Sequence, residues 1–502
     1  MDLFANLAHG FGVALSLDNL LFALLGALIG TAIGVLPGIG PVATISLLLP
    51  ITFGQPATTA IIMLAGIYYG AQYGGSTTAI LLNLPGEVSS VVTTLEGYKM
   101  ARNGRAGAAL TIAALGSFFA GTVATLVVAA SGPLLTQVAL SFGPADYFSL
   151  MLLGLIISAV LAQGSVLKSI SMVVLGVALG LVGTDVQTGQ QRFTFGIPEL
   201  SDGLGFASIA MGMFGISEII LNPERPEARE VLKTKIGSLW LTKEEFRRAT
   251  PSVLRGTVLG SVLGILPGGG AALSAFGSYM LERKVSKYRH EFGNGAIEGV
   301  AGPESANNAA AQTSFIPLLT LGIPANAVMA LMVGALIIQG IQPGPRMVEA
   351  QPDLFWGLIC SMWIGNLMLL VINLPLIGMW VKLLSVPYKY MYPAILMFCV
   401  IGVYSLNNSV FDVYQTLAFG ILGYVFTKLN LSAAPLLIGF VLGPMMEEHL
   451  RRAMLLSRGD AYVFIDFANR PISACLLVIC ALVLGSMMLP ALRRKKDEAI
   501  AE

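Results

Sequence analysis

The chain has 502 residues, of which 55% are hydrophobic and only 11% are charged, and its formal net charge is +1. A soluble globular domain carries about a quarter charged residues, so this composition excludes an ordinary soluble protein and gives no reason to expect a nucleic-acid partner. Continuous apolar runs, such as the uncharged stretch between Asp18 and Glu87, favour α-helical membrane spans over a β-barrel. We expect an all-α polytopic membrane protein with about ten to twelve membrane segments.

The same motif occurs once in each half of the chain. Residues 26–38 read GALIGTAIGVLPG and residues 256–268 read GTVLGSVLGILPG. A second pair of phrases follows in the same order, TTAILLNLPG at 77–86 and TSFIPLLTLGIPAN at 313–326. Two matched blocks indicate a duplication. The predicted units are a first transmembrane repeat at 15–221, a second at 250–446, and an extra C-terminal transmembrane helix at 472–490.

Charge predicts how the two repeats are oriented. The segment at 222–255 joins them and is rich in basic residues, which favours a cytoplasmic linker. The second LPG motif has basic flanks, whereas the flanks of the first LPG motif contain no Lys or Arg. Equivalent loops are therefore expected on opposite sides of the membrane, as in transporters built from inverted-topology repeats. The basic tail at 493–496 places the C-terminus in the cytoplasm.

Segments rich in glycine, proline or small polar residues interrupt both repeats at matched places. In lipid, a broken helix is costly unless its freed backbone groups line a cavity inside the protein. Each break would expose amide N–H groups that attract an anion without any fixed charge. We therefore predict discontinuous helices and re-entrant-like hairpins that meet near the membrane midplane. The four predicted breaks are PGIGP (37–41), YGGSTT (73–78), PGGG (267–270) and AQTS (311–314).

Most side chains beside these breaks carry a hydroxyl or an amide, and the motif blocks contain no Lys or Arg. Such groups donate to carboxylate oxygens and bind cations through their own oxygens, although the same residue types also pack membrane helices together. Thr77 and Thr313 are expected to occupy matched positions and to face one site. The predicted substrate-binding residues are Gly38, Gly40, Ser76, Thr77, Thr78, Asn83, Gly268, Gly269, Gly270, Asn307, Asn308, Thr313, Ser314 and Asn326. The candidate Na+ ligands are Pro37, Gly38, Thr77, Pro267, Gly268 and Thr313.

Acidic and metal-ligating side chains add little to this prediction. We interpret Glu298 and Glu304 as surface residues, although Glu304 is the acid nearest to the second break and is available for proton coupling. The four cysteines lie in apolar segments without a CxxC spacing, and the three histidines are scattered. We therefore expect no metal centre, no cofactor and no catalytic residue.

Four blocks resemble the large membrane subunit of the tripartite tricarboxylate transporters, and the resemblance spans nearly the whole chain. It implies a secondary transporter of the bacterial cytoplasmic membrane that works with a small transmembrane subunit and a periplasmic substrate-binding protein. It also implies import of a citrate-like tricarboxylate or a related organic anion, coupled to a Na+ or H+ gradient. The blocks read GVLPGIGP, YGGSTTAILLNLPGE, GILPGGGAALSAF and ESANNAAAQTSFIPLLTLGIPAN.

Two alternatives to transport by alternating access stay open. An intramembrane enzyme would need a catalytic dyad, but the hydroxyl groups of the motif blocks have no His or Lys partner beside them. An anion channel would need a continuous pore or a ring of subunits instead of paired hairpins. Transport by alternating access is the leading hypothesis.

The predicted inversion of the repeats can be tested with topology reporters. A reporter fused after Tyr288 should be cytoplasmic and one fused after Phe53 should be periplasmic, because only the loop that contains Tyr288 is basic. Paired alkaline phosphatase and fluorescent-protein fusions measure the two sides independently. Both positions reporting the same side of the membrane would contradict the inverted repeat.

Overall fold

The computed structural model describes residues 3–36, 40–162, 165–185, 187–221, 238–266, 270–383 and 392–488. Within these ranges the regular structure is almost entirely helical, and the two strands β1 (Gly183–Thr184) and β2 (Gln191–Arg192) form a short antiparallel pair. Five helical stretches of the described chain are long and apolar enough to cross a membrane, and six shorter apolar helices accompany them. The prediction of an all-α polytopic membrane protein is confirmed, whereas the total of ten to twelve segments stays a prediction.

The described part of the first half of the chain contains ten α-helices. Short 3-10 segments at Leu49–Thr52, Val88–Ser90 and Pro198–Leu200 and π-helical turns at Ala101–Arg105 and Met211–Ile216 connect some of them. The α-helices are α1 (Leu3–Ala14), α2 (Leu17–Val35), α3 (Pro41–Leu48), α4 (Ala57–Leu82), α5 (Val91–Met100), α6 (Ala106–Leu140), α7 (Pro144–Leu161), α8 (Val166–Gly180), α9 (Phe206–Ala210) and α10 (Ser217–Leu221).

The described part of the second half contains twelve α-helices. Residues 222–237 of the predicted linker lie outside the described residues. The last part of the linker, from Lys243 onward, belongs to the first of these helices. They are α11 (Lys243–Leu263), α12 (Gly270–Val285), α13 (Glu298–Thr313), α14 (Phe315–Leu321), α15 (Ala327–Ile338), α16 (Met347–Ala350), α17 (Pro352–Asn373), α18 (Ile377–Leu383), α19 (Tyr392–Asn407), α20 (Val410–Lys428), α21 (Ala433–Leu456) and α22 (Pro471–Met488), with 3-10 turns at Arg289–Glu291 and Ala461–Phe464.

Two helices, α4 and α13, form the centre of the molecule. Every residue from Thr59 to Leu82 in α4 and from Glu298 to Thr313 in α13 is buried. Helix α4 packs mainly on α2, and α13 packs mainly on α11, α6 and α12. A helix that is enclosed on all sides can present polar side chains only to other protein groups or to a bound ligand. These two helices therefore set the environment of any internal site.

Glycines let the backbones of each helix pair approach closely. A Cβ atom at Gly30 of α2 would collide with the carbonyl oxygen of Ile67 in α4, and one at Gly260 of α11 would collide with that of Ala306 in α13. The two glycines are 230 positions apart in the sequence, and their two partners are 239 apart. Small residues at such crossings are the usual basis of close helix packing in membranes. The same helix pairing therefore occurs in both halves.

The helix ends follow the same spacing as the packing partners. Asn83 ends α4 and Gly322 ends α14, both in the left-handed conformation with φ of 58° and 72°, and they are also 239 positions apart. This spacing matches Thr313 with Gly74, not with Thr77. The predicted match of the two threonines is therefore wrong by three positions, because backbone packing and helix ends set the register, whereas the sequence comparison aligned similar side chains. The inverted topology itself stays a prediction.

The predicted break at YGGSTT (73–78) is wrong. Helix α4 runs without interruption through this segment, from Ala57 to Leu82. A Cβ atom at Gly74 would collide with the carbonyl oxygen of Thr31 in α2. The glycine is therefore required for helix packing, and the buried contact outweighs its low helix propensity.

The predicted break at AQTS (311–314) is only a helix boundary. Helix α13 ends at Thr313 and α14 begins at Phe315, but Ser314 between them keeps helical angles, with φ of −64° and ψ of −17°. The helical path is interrupted only at Gly322, the left-handed residue that follows the end of α14 at Leu321. The other two predicted breaks do fall between helices, because α2 ends before PGIGP and α11 ends before PGGG. Pro37, Gly38, Pro267, Gly268 and Gly269 lie outside the described residues.

The glycine contacts predict that a Gly→Ala substitution destabilises the protein at a packed helix crossing but not at an open position. Gly260→Ala should destabilise the protein by about 1–3 kcal/mol, because the added methyl group must push α11 away from the backbone of α13. The matched control is Gly12→Ala in α1, where a Cβ atom meets nothing within 4 Å and the alanine favours the helix. Thermal unfolding of the purified protein in detergent measures both changes. Equal melting temperatures for Gly260→Ala and the wild type would contradict the packing role.

Candidate functional site

A polar network connects the two central helices. We define it as Tyr68, Gln72, Ser76 and Thr77 on α4, Glu87 and Ser89 after α4, Thr93 on α5, Ser117 on α6, and Glu304, Asn307 and Asn308 on α13. The 3-10 turn at Val88–Ser90 and helix α5 carry the chain from the end of α4 back across α13. The left-handed Asn83 makes this reversal possible, because α4 must end before the chain can turn.

Glu304 lies in the middle of this network. Its side chain is only 1% exposed. The Ser76 hydroxyl oxygen lies 2.6 Å from Glu304 Oε2, and the Thr93 hydroxyl donates to Oε1. The prediction that Glu304 is a surface residue is therefore wrong. Glu298 is also buried, at 2% exposure, and is paired with the Arg248 guanidinium at 2.9 Å; both acids are enclosed because neighbouring helices surround α13 on every side.

A second acid, Glu87, joins the segment after α4 to α13. The Asn307 side-chain amide lies 3.3 Å from Glu87 Oε1, and Ser89 donates to the same oxygen. Ser89 also lies 3.1 Å from the side-chain oxygen of Gln72 in α4. Sequence reasoning missed Glu87 as a site residue. Its position directly after the LPG phrase was the available signal.

Asn308 and Thr77 face α6. The Asn308 amide donates to the Ser117 hydroxyl at 2.7 Å. Thr77 lines a cavity of about 10 Å³ together with Ser117 and Asn373 of α17, which is the space needed for about one water molecule. The structure thus places the predicted residues Ser76 and Thr77 on one small cavity, and Asn308 contacts it through Ser117. The contributions of α6 and α17 were not predicted.

Three other predicted hydroxyl groups are bonded to the backbone. Thr78 donates to the carbonyl of Val35, the last residue of α2, at 2.5 Å. Thr313 donates to its own helix at 3.1 Å, and Ser314 does so at 2.7 Å. These hydroxyls therefore stabilise helix ends and turns, and their single hydrogens are used within the protein.

The remaining predicted residues mark helix ends. Asn83 is exposed, whereas Asn326 caps the start of α15 by accepting a hydrogen bond from the Met329 N–H at 3.0 Å. Gly270 starts α12 with φ of 44°, and a Cβ atom there would lie 3.4 Å from the Asn326 amide nitrogen. Gly40 precedes α3 and has open space beside it. The Tyr68 ring on α4 lies 6.4 Å from the Phe315 ring at the start of α14, centroid to centroid, so Tyr68 connects the second-half helices to the network.

Several buried polar atoms near this network have no hydrogen-bond partner within the described chain. They include Asn307 Oδ1, Gln312 Oε1, Asn373 Oδ1 and the Tyr69 hydroxyl. A buried polar group without a partner costs about 1–3 kcal/mol, and proteins rarely keep several of them together without a reason. Asn307 belongs to the network and Asn373 lines the cavity beside Thr77, so the polar space around these two residues is the candidate site for a polar ligand.

Comparison with known proteins identifies the family. A family model described as the tripartite tricarboxylate transporter TctA family matches residues 20–438. The chain belongs to this family. The match confirms the resemblance seen in the motif blocks and shows a multi-pass membrane protein of a transporter family, which is not a family of enzymes.

Two relatives of this TctA-family protein come from Agrobacterium vitis. One, an uncharacterized 52.8 kDa protein in the TAR-I ttuC' 3' region, is 59% identical over 502 residues, covering 100% of this chain and 99% of the relative. The other, an uncharacterized protein in the TAR-II ttuC' 3' region, is 60% identical over 243 residues, covering 48% of this chain and 99% of the relative. No solved structure matches the chain.

Proposed function

We propose that this protein is the transport subunit of a secondary active system that imports a citrate-like tricarboxylate or a related organic anion, driven by a cation gradient. The polar network is the observation that carries the proposal. It holds hydroxyl, amide and carboxyl groups between two helices that are buried on all sides. Polar and ionisable groups in such a setting typically belong to a substrate or ion pathway.

The donor groups of the network suit a carboxylated anion. One amide N–H of Asn307 bonds to Glu87, so its second N–H and the Thr77 hydroxyl are available to hydrogen-bond carboxylate oxygens. Helices α4 and α13 contain no Lys or Arg, so binding would depend on these neutral donors. The helix starts at Gly40 and Gly270 would add backbone N–H groups and a favourable dipole. Neutral donors bind an anion without holding it as tightly as an ion pair, which favours release.

The packing suggests how the site would open. Helices α2 and α4 form one close backbone pair and α11 and α13 form another, whereas α4 and α13 contact each other mainly through the polar network. The cavity beside Thr77 is far too small for a tricarboxylate. Binding therefore requires the two pairs to separate, first toward one side of the membrane and then toward the other. This is the motion that alternating access between inverted repeats requires.

The system is proposed to have three parts, in keeping with the tripartite family to which the chain belongs. A periplasmic substrate-binding protein would deliver the anion, and a small transmembrane subunit would accompany this chain in the bacterial cytoplasmic membrane. The basic linker at 222–255 and the basic tail at 493–496 support cytoplasmic positions for both segments.

The decisive experiment is uptake into proteoliposomes that contain all three proteins. Radiolabelled di- and tricarboxylates are offered in turn, with a Na+ gradient or an H+ gradient imposed separately. Accumulation above the external concentration, dependent on one of the gradients, is the expected result. Uptake that only equilibrates the anion under every gradient would indicate a channel instead.

Substitution of single threonines tests whether the cavity belongs to the site. Thr77→Val should weaken the apparent affinity for the anion or the coupling ion by about five- to hundredfold, since a lost hydrogen bond to a ligand costs about 1–3 kcal/mol. Thr313→Val should have a much smaller effect, because its hydroxyl already bonds to its own helix. Initial uptake rates against anion and ion concentration, normalised to protein in the membrane, measure both.

The control for these variants is Thr125→Val. Thr125 is buried in α6 and donates to the Gly121 carbonyl of the same helix at 2.8 Å, so its loss should leave the uptake parameters nearly unchanged. Equal and small effects at all three threonines would remove Thr77 from the site.

A further inference from the structure

Glu304 differs from the other well-buried acids of the described chain in what surrounds it. Glu282 is paired with Arg255 at 2.6 Å, and Glu298 is paired with Arg248. Glu96 is 0% exposed, and it accepts backbone N–H groups from the segment before α13 and the Tyr279 hydroxyl. These acids therefore have a cation or several backbone amides to stabilise a negative charge.

Within the described part of the chain, the Glu304 carboxyl group has only two hydroxyl groups as hydrogen-bond partners. Within the described residues no Lys, Arg or His lies within ion-pair distance of it. A carboxylate that is buried without a cation carries a large desolvation cost, which a bound proton removes.

The number of hydrogens available around Ser76 also favours a protonated Glu304. Its hydroxyl oxygen lies 3.1 Å from the carbonyl oxygen of Gln72 and 2.6 Å from Glu304 Oε2. The hydroxyl has one hydrogen, and the carbonyl can only accept. If Ser76 donates to the Gln72 carbonyl, as serines in helices often do, the hydrogen in the shorter contact must come from Glu304. Both contacts are then satisfied, with Thr93 donating to the other carboxyl oxygen.

We propose that Glu304 is the coupling-ion site of this transporter and that the ion is a proton. In the described, closed arrangement the proton is covalently bound to Oε2 and forms a hydrogen bond to the Ser76 hydroxyl oxygen. Separation of α4 from α13 breaks that contact and lets water reach the carboxyl, so the proton can leave to the cytoplasm as the anion is released. The inference rests on the proposed transport function and identifies the ion that drives it.

The surroundings of Glu304 favour a proton over Na+. Sodium sites in transporters use carbonyl oxygens that are freed where helices unwind. Ser76 and Thr93 instead lie inside the regular helices α4 and α5, where the carbonyls are engaged in helical hydrogen bonds. The two carboxyl oxygens and the two hydroxyls are already mutually bonded, so none of these four oxygens is free for a metal cation.

Other titratable groups near this part of α13 lie on α4, on the segment after α4, and on α5, α11 and α12. Tyr73 lies on α4, and Glu87 follows α4 and contacts Asn307. Glu96 of α5 lies against Gly299, and Glu282 of α12, with its partner Arg255 of α11, lies against Gly302. Helix α6 contributes no titratable side chain. Glu87 is therefore the other acid of the network, and variants of Glu304 must be compared with the wild type across a pH series.

The test uses Glu304→Gln in proteoliposomes that contain the three-part system. Glutamine keeps a donor for Ser76 and an acceptor for Thr93 but cannot release a proton. With the membrane potential clamped at zero, one coupled proton makes a pH difference of one unit worth about tenfold accumulation. The wild type should reach about that level, whereas E304Q should only equilibrate the anion while still exchanging labelled for unlabelled anion. The matched control is Glu349→Gln, an exposed acid of α16, which should accumulate like the wild type.

Infrared spectroscopy of the purified chain provides a readout that does not depend on transport. The wild type at neutral pH should show the C=O stretch of a protonated carboxyl group, and this band should be missing in E304Q. If E304Q fails to insert, Ser76→Ala replaces it, and the band should shift because Oε2–H loses its acceptor. Together the band and the exchange assay report protonation and coupling separately.

Three results would overturn the inference. These are a wild-type spectrum without a Glu304 band, pH-driven accumulation by E304Q at the wild-type level, or accumulation that needs Na+ and persists without a pH gradient. A wild-type system with neither exchange nor accumulation would instead contradict the proposed function, whatever the spectrum shows.

Discussion

Backbone contact through glycine is the constraint on which the rest of this structure depends. Gly30 and Gly260 allow α2 and α11 to approach α4 and α13 so closely that a Cβ atom at either glycine would collide with a backbone carbonyl oxygen of the neighbouring helix. This closeness lets several helices surround α4 and α13 completely. A bulkier residue at either position would hold the helices apart and admit lipid or water to the centre.

Complete enclosure determines the chemistry of the polar side chains on these helices. Groups that would be hydrated on a surface must find partners within the protein. Thr78, Thr313 and Ser314 do so by bonding to backbone carbonyls. Ser76 bonds across the boundary between the two helix pairs, to Glu304. In the proposed motion of the helix pairs, groups of this second kind would change partners, so they are suited to couple that motion to binding.

The same enclosure bears on the proposed anion site, which has no basic residue. A fixed positive charge at the centre of a membrane protein is costly to bury, and it would bind an anion too tightly for rapid turnover. Neutral amides, hydroxyls and helix N-termini supply a weaker attraction. In the proposed transport cycle, a proton on Glu304 would remove an unpaired negative charge on α13 that repels an incoming carboxylate, so the proton and the anion would favour each other's binding.

The sequence by itself determined the membrane class, the repeated glycine and proline motifs and the family, because composition and local spacing carry this information directly. It also named Ser76 and Thr77, which the structure places on one small cavity. The tertiary structure decided that YGGSTT is helical, that Thr313 matches Gly74, and that Glu304 is buried. The first two outcomes depend on which distant backbone each glycine meets, and the burial of Glu304 depends on the helices packed around α13. No local pattern encodes these contacts.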